Sequence, residues 1–294
     1  MTIFSYNKYI ICDKVALITG ALGAIGKATS FRLANLGASL ILVDILPECA
    51  GNEFCQSLIQ RVSNASALYI QADLRNPRDI QRMLTEGAEA YSHIDILINN
   101  AGIALYKDYY HNEEREPIDM AIDINLRAPL ESTRLFAKML KDLRREGVVV
   151  NLSSITALVP GRFVEIYGAT KVALMYFTKA SAYLAPQIRI AAVAPFFVDS
   201  PMVNRSEVVK NIPSINQHTL LSPADVADAV VRQIEDRSSG GKTAMVVSGW
   251  GSLPTWHFGL SAVYALAMVH LWWLISVIRS FLMPNRHKTK QAIS

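Results

Sequence analysis

The sequence predicts an α/β protein, a single domain on a doubly wound parallel sheet, with a hydrophobic helix after it. Three observations predict this. Short unbroken apolar runs alternate with helix-length segments between residues 14 and 247. The first run leads straight into three spaced glycines, Gly20, Gly23 and Gly26. The second run ends on an acid, Asp44. Apolar strands without polar alternation are buried on both faces, and helices between them make the crossovers that parallel strands need.

The elements follow in order. Lys14–Thr19 reads as the first strand, and Gly20 to Gly26 as a turn. A helix runs from Lys27 to Leu36 and stops at Gly37, a residue suited to a helix end. Ala38–Val43 is the second strand. Further strands are expected at Ala67–Gln71, Ile94–Ile98, Val148–Leu152, Arg189–Val193 and Ala244–Val247. Helices are expected at Pro77–Tyr91, Glu116–Lys141, Ile166–Leu184 and Pro223–Arg237. No repeat or low-complexity run divides this stretch. Residues 13–250 are therefore expected to form one domain, with 1–12 as an N-terminal extension and 251–294 as a hydrophobic segment ending in a basic tail.

Composition narrows the function classes. The chain has 294 residues, 51% hydrophobic and 18% charged, enough for a sizeable core. A net charge of +4 without a basic stripe gives no support for nucleic-acid binding. The three cysteines, Cys12, Cys49 and Cys55, form neither a C-x-x-C pair nor an even framework and read as reduced thiols. The six histidines include no H-x-x-x-H, so no metal site is expected. The first 14 residues hold no long apolar stretch and are not expected to be a signal peptide.

The glycine turn points to a nucleotide. Glycines let the backbone approach a diphosphate, and the following helix presents unpaired N–H groups and a positive dipole end. Asp44, at the end of the second strand, is placed to accept hydrogen bonds from an adenosine ribose and to repel a 2′-phosphate. No Arg or Lys adjoins it, and Leu22 stands in the turn where a basic residue would meet that phosphate. These residues favour NAD over NADP; the alternative for Asp44 is a loop cap.

A second constellation lies further along: Ser154, then Tyr167 and, four residues on, Lys171. Residues four apart share one helix face. A tyrosine has an unperturbed pKa of about 10, and a neighbouring cation lowers it toward a useful range for a general base. Ser154, at a strand end, would hold the substrate oxygen while Tyr167 moves the proton. The pair alone also fits surface decoration.

Together these motifs resemble the short-chain dehydrogenase/reductase family over about residues 12–250. The matching residues are Thr19-Gly-Ala-Leu-Gly-Ala-Ile-Gly26, Asp73-Leu74, Asn99-Asn-Ala-Gly102, Asn125, Ser154, Tyr167-x-x-x-Lys171 and Pro195. Within it the chain is most similar to the NAD-dependent 15-hydroxyprostaglandin dehydrogenase group, on Asp44, Asp123-Ile-Asn-Leu126 and the stretch from Leu221 to Arg237. The resemblance implies a Rossmann-type fold, homodimeric or homotetrameric assembly, and hydride transfer between a secondary alcohol or ketone and NAD. It implies roles as well. Asn125, Ser154, Tyr167 and Lys171 would be catalytic, with Asn125 interrupting its helix to bind a relay water for Lys171. Gly20, Leu22, Gly23, Ile25, Gly26 and Asp44 would hold the adenosine and diphosphate, Asp73 and Leu74 the adenine, and Asn100, Ala101 and Gly102 the inner cofactor. Tyr167 and Lys171 would meet the nicotinamide ribose and Val198 the carboxamide. One departure stands out. The family usually has Gly after Pro195, and this chain has Phe196, followed by Phe197. These rings either wall an apolar substrate pocket with Leu105, Tyr106 and Met202, or pack in the core. Ser200 to Leu220 would form the lid. The expected substrate is a small lipophilic alcohol or ketone. An NADP-linked ketone reductase and a catalytically silent nucleotide-binding scaffold are the alternatives.

The C-terminal stretch is unusual. No Asp, Glu, Lys or Arg occurs from Thr243 to Ile278. Residues 258–278 are mostly large and apolar, about the length that spans a bilayer as a helix. The expectation is association with an intracellular membrane such as the endoplasmic reticulum, the catalytic domain facing the cytosol. Spanning and interfacial placements both remain open, as does a helix covering a partner subunit in a cytoplasmic protein.

Overall fold

The structure is a computed structural model that describes residues 8–104, 116–161, 164–204 and 220–248, the backbone of 251–255, and residue 271. Val15–Thr19 (β1) is wholly buried and leads through the glycine turn into Ala24–Asn35 (α1). Ser39–Asp44 (β2), Glu48–Arg61 (α2), Ala67–Gln71 (β3), Pro77–Tyr91 (α3) and Ile96–Asn99 (β4) complete the first half. Helix α2 is not announced by the apolar pattern, because a glycine, Gly51, lies within it against the Tyr69 ring. Helix α3 starts where its cap predicts: the Asn76 side chain accepts from Arg78 N, Pro77 holds the first turn, and Ser92 ends the helix at φ 68°.

The second half runs Glu116–Ile122 (α4), a π-helical turn Asp123–Arg127, Ala128–Asp142 (α5), Gly147–Leu152 (β5) and a 3₁₀ turn Ile155–Ala157. Glu165–Ala180 (α6), a second 3₁₀ turn Ser181–Leu184, Ile188–Pro195 (β6) and Pro201–Asn204 (α7) follow. Pro223–Glu235 (α8), Thr243–Val247 (β7) and Gly251–Thr255 (β8) close the described chain. Helix α8 opens on a reciprocal cap between Ser222 and Asp225, with Pro223 just inside. The single helix expected over Glu116–Lys141 is thus broken by a wide turn. Pro129 has no N–H to give the carbonyl of Asn125 four residues earlier, so the ladder cannot pass through regularly.

The sheet order is β3-β2-β1-β4-β5-β6-β7-β8. The first seven strands in chain order pair in parallel, and β8 runs antiparallel to β7. Alternate residues of each strand enter opposite core layers. Ala16, Ile18, Leu40, Leu42, Ile96 and Ile98 join Leu33, Phe54, Leu58 and Val230 on one face. Val15, Leu17, Ile41, Val43 and Leu97 join Met83, Phe136 and Leu140 on the other. Each fully buried side chain of this size contributes about 1.5–3 kcal/mol. The strands therefore had to be apolar on both faces, which is why they were legible as unbroken runs.

Two stretches outside the expected 13–250 domain pack onto it. Tyr9 is buried, and its N–H donates to Glu235 O at 2.8 Å. Strand β8 extends the sheet beyond residue 250 by pairing Gly251 with Val247 through Thr255 with Thr243. The hydrophobic helix expected over 258–278 lies outside the described residues, apart from residue 271. Among the described residues no helix is long and apolar enough to cross a membrane.

Candidate active site

Strand order reverses between β1 and β4, and a crevice opens there at the carboxyl ends of the strands. It measures about 480 Å3. Gly20, Leu22, Gly23, Ile25, Gly26, Asp44, Asp73, Leu74, Asn100, Ala101 and Gly102 all line it. Two glycines are demanded by the turn itself. Gly20 has φ +62°, and a Cβ there would lie 2.8 Å from Ala101 Cα. A Cβ on Gly26 would lie 2.2 Å from Gly20 O. Helix α1 has no side-chain cap and no acid in its first turn. Its unpaired N–H groups are consistent with an anionic ligand in the crevice, so the turn fits the diphosphate of a dinucleotide.

Asp44 is drawn into the turn. Its Oδ2 accepts from Leu22 N at 2.9 Å and its Oδ1 from Leu46 N at 3.3 Å. Asn100 ties the β4 end to the same turn, donating to Thr19 O at 2.8 Å and Gly20 O at 2.9 Å. The Thr19 hydroxyl oxygen accepts from Asn100 N and Ala101 N, both at 3.1 Å. Arg75 grips Asp73, with Nη2 2.6 Å and Nε 3.0 Å from its Oδ2. These bonds hold the Asp73 carboxyl below the usual carboxylate range.

None of the four catalytic candidates lines the crevice; Asn125 and Lys171 lie just behind Gly102. Lys171 is 3% exposed and donates from Nζ to Leu152 O at 2.8 Å. Its backbone carbonyl accepts from Ser153 Oγ at 3.0 Å, so the end of β5 clasps the residue twice. Burial lowers its pKa to about 8. Nζ lies 5.5 Å from the Tyr167 ring centroid, the i,i+4 relation made real on α6. A Cβ placed on Gly102 would lie 3.3 Å from Asn125 Oδ1 and 3.4 Å from Lys171 Nζ, so Gly102 joins the crevice to this group. Asn125 is fully buried within the π-helical turn. Ser154 is 8% exposed and caps the 3₁₀ turn after β5, its Oγ accepting from Thr156 N at 3.2 Å.

Other candidates fall differently. Val198 does not border the crevice; it is buried and bridges to Leu221. Phe196 packs against two apolar clusters and meets Phe197 edge-on, centroids 4.9 Å apart. Its N–H donates to Val246 O at 2.9 Å, and its half-buried ring packs against the core next to the site. Ser200, Pro201 and Met202 line the crevice, while Leu105, Tyr106 and residues 205–219 of the expected lid lie outside the described residues. Among the described residues no group of His, Cys, Asp or Glu is arranged for a metal.

Several contributors had been given no role from the sequence, although Thr19 and Asn99 stood in the matched motifs. Thr19 and Ile103 set the inner loop, and Ile124 lines the crevice. Asn99 donates to Asn151 Oδ1 at 2.9 Å and to Thr133 Oγ1 at 3.1 Å, and accepts from Ser132 Oγ at 2.8 Å. This buried network joins β4, β5 and α5. The available signal was a polar residue inside an apolar strand, since buried amides must find partners.

A doubly wound sheet with a glycine turn at its switch point, and a Tyr-Lys pair beside the same crevice, defines a dinucleotide-linked oxidoreductase. Residues 14–211 match the short chain dehydrogenase family, and the chain belongs to it. The family works with NAD(H) or NADP(H) on small alcohols and ketones. The chain is 31% identical over 263 residues to oxidoreductase UcpA of Escherichia coli (strain K12), covering 83% of this chain and 96% of the relative. It is 27% identical over 255 residues to the 15-hydroxyprostaglandin dehydrogenase [NAD(+)] of Mus musculus, covering 81% and 91%. A solved 3-ketoacyl-(acyl-carrier-protein) reductase from Brucella melitensis, complexed with NADH, superimposes with a TM-score of 0.72 at 28% identity, covering 81% and 98%.

Proposed function

We propose that the chain is an NAD-linked dehydrogenase of a small lipophilic secondary alcohol, or the reductase of the corresponding ketone, nearest in kind to the 15-hydroxyprostaglandin dehydrogenase group. The observation that carries this reading is Lys171, buried beneath the Tyr167 ring and joined to the crevice across Gly102. Bound NAD would supply the hydride acceptor. Tyr167 takes the substrate hydroxyl proton, helped by the Lys171 cation, which favours phenolate. Ser154 orients the substrate oxygen. Asn125 holds the inner loop and, through the helix carbonyl that Pro129 cannot satisfy, a water that links Lys171 to solvent. The resemblance assigns Val198 to the carboxamide, although it does not border the crevice.

NAD is preferred because Asp44 stands at the ribose end of the crevice and Leu22 offers a 2′-phosphate no charge. Met202 and the apolar Ile103 and Ile124 favour a lipophilic substrate. Residues 258–278 attach the protein to an intracellular membrane, cytosol-facing, or cover a partner in a homodimer or homotetramer.

A screen of secondary alcohols and ketones with NAD and NADP side by side tests the reading. At least tenfold higher kcat/KM with NAD on apolar substrates is expected. Equal or better use of NADP, or turnover confined to polar substrates, would sink it. Alkaline carbonate extraction tests membrane attachment; complete release of the full-length protein would reject it.

A further inference from the structure

At the edge of the sheet opposite the crevice, where β1, β4 and β5 begin, lies a second cavity of about 400 Å3. Tyr9, Lys14, Asp95, Arg145, Glu146 and Arg237 line it. The five residues of β1, at about 3.3 Å each, set the two sites roughly 16 Å apart. Nothing in the proposed hydride transfer uses these residues.

Hydrogen-bond donors are left over here. Arg145 Nε is buried without a partner, although Arg145 Nη2 reaches Asp95 Oδ1 at 2.8 Å. Tyr9 is 5% exposed, and its hydroxyl makes no hydrogen bond among the described residues. Burial raises its pKa to about 12, so it is a neutral O–H donor. Lys14 Nζ lies 5.7 Å from the Tyr9 ring centroid, and Arg189 and Arg237 Cζ lie 5.2 and 5.7 Å from it.

The carboxylates are already engaged. Asp95 accepts from Val15 N at 3.0 Å and Arg145 Nη2, and pairs with His93 Nε2 at 3.1 Å. Glu146 Oε2 takes Arg237 Nη1 at 3.3 Å. The cavity is therefore left with a phenol O–H and an ammonium, and its three cations outnumber its two carboxylates. A phenol O–H and an ammonium facing one cavity, with cations in excess, suit an oxyanion.

We propose that this cavity binds a compact oxyanion, a carboxylate or phosphate group. The group accepts a hydrogen bond from the Tyr9 hydroxyl, with Lys14, Arg145 and Arg237 supplying charge. Its occupation fastens the N-terminal strap. Tyr9 N already donates to Glu235 O, and Lys8 Nζ pairs with Glu235 Oε1 at 2.7 Å. The anion adds a tie from that strap to the loop before β5.

The test is thermal melting of the full-length protein, saturated with NADH to occupy the glycine turn. Sodium phosphate or sodium malonate is titrated at ionic strength held constant with NaCl. A saturable rise in Tm is expected with at least one of them, and none with chloride alone. The better anion identifies the source as phosphoryl or carboxylate. The midpoint should move about tenfold higher in Tyr9→Phe and Arg145→Gln, while kcat of Tyr9→Phe stays at the wild-type value. No saturable rise, or a midpoint shift below threefold in both variants, would overturn the proposal. Should either variant fail to fold, Lys14→Gln is titrated in its place, with a threefold or greater shift expected and a smaller one counting against the site.

Discussion

Asn125 holds Ile103 by both of its backbone polar groups. Its Oδ1 accepts from Ile103 N at 2.8 Å, and its Nδ2 donates to Ile103 O at 2.8 Å. The loop that lines the inner crevice is thus fastened to the π-helical turn. The amide keeps one further N–H and one lone pair. Asn125→Leu leaves two backbone groups of Ile103 without partners. It should cost about 2–4 kcal/mol of stability and lower kcat, read by denaturant unfolding and steady-state kinetics. Wild-type stability in that variant would show that the loop does not depend on this clamp.

Lys171 sits buried with its pKa lowered to about 8, while the unfolded chain holds its proton up to about 10.4. Below pH 8 both states are protonated and the native state bears the full burial penalty. Between those two values the unfolded state binds the extra proton, so stability rises with pH. The shift corresponds to about 3 kcal/mol, at 1.36 kcal/mol per unit. Lys171→Met should therefore be more stable than wild type at pH 7 by up to that amount and lose the advantage toward pH 10.5. A pH-independent difference between the two proteins would contradict this assignment.

Tyr167→Phe removes only the hydroxyl. We predict NADH affinity within threefold of wild type, measured by fluorescence, and a kcat reduced by at least 10³. A variant with wild-type turnover would mean that another group moves the proton.

Asp44 has two duties, one toward the proposed ribose and one toward the N–H groups of Leu22 and, at longer range, Leu46. Asp44→Ala should raise KM for NAD by about tenfold and lower Tm, because one charge-assisted bond contributes about 1.5–3 kcal/mol. It should not create NADP use by itself. Adding Leu22→Arg should. Efficient NADP turnover in the single variant would show that the turn does not need the carboxylate.

Strand β8 sets the safe truncation point. A chain ending after Thr255 should keep its melting temperature and turnover. One ending before Gly251 should melt several degrees lower, because the edge of β7 loses its ladder partner. Identical melting curves for the two would make β8 dispensable.

Much of this was legible because its physics is local. A strand buried on both faces must be apolar throughout, so seven strands stood out as runs. A glycine at positive φ or under a carbonyl cannot carry a side chain, so Gly20 and Gly26 marked the turn. Tyr167 and Lys171 were linked by helix geometry alone. Helix α2 was not read, and the break at Asn125 was expected only through the resemblance, without its π-helical form. The first hides a Gly under a distant ring, and the second depends on Pro129 lacking a donor, a signal present in the sequence.

The sequence by itself determined the fold class and the family, and it offered Asn125, Ser154, Tyr167 and Lys171 as a set to be tested. Tertiary structure decided how they are held. Lys171 is buried and held at the end of β5, Asn125 is spent partly on Ile103, Asp44 partly on Leu22, and Phe196 packs half-buried against the core. Those outcomes rest on hydrogen bonds and burial between residues far apart in the chain, which no spacing rule encodes. The same holds for Tyr9, an unremarkable residue near the start that gains three cations around its ring only when the sheet closes over it.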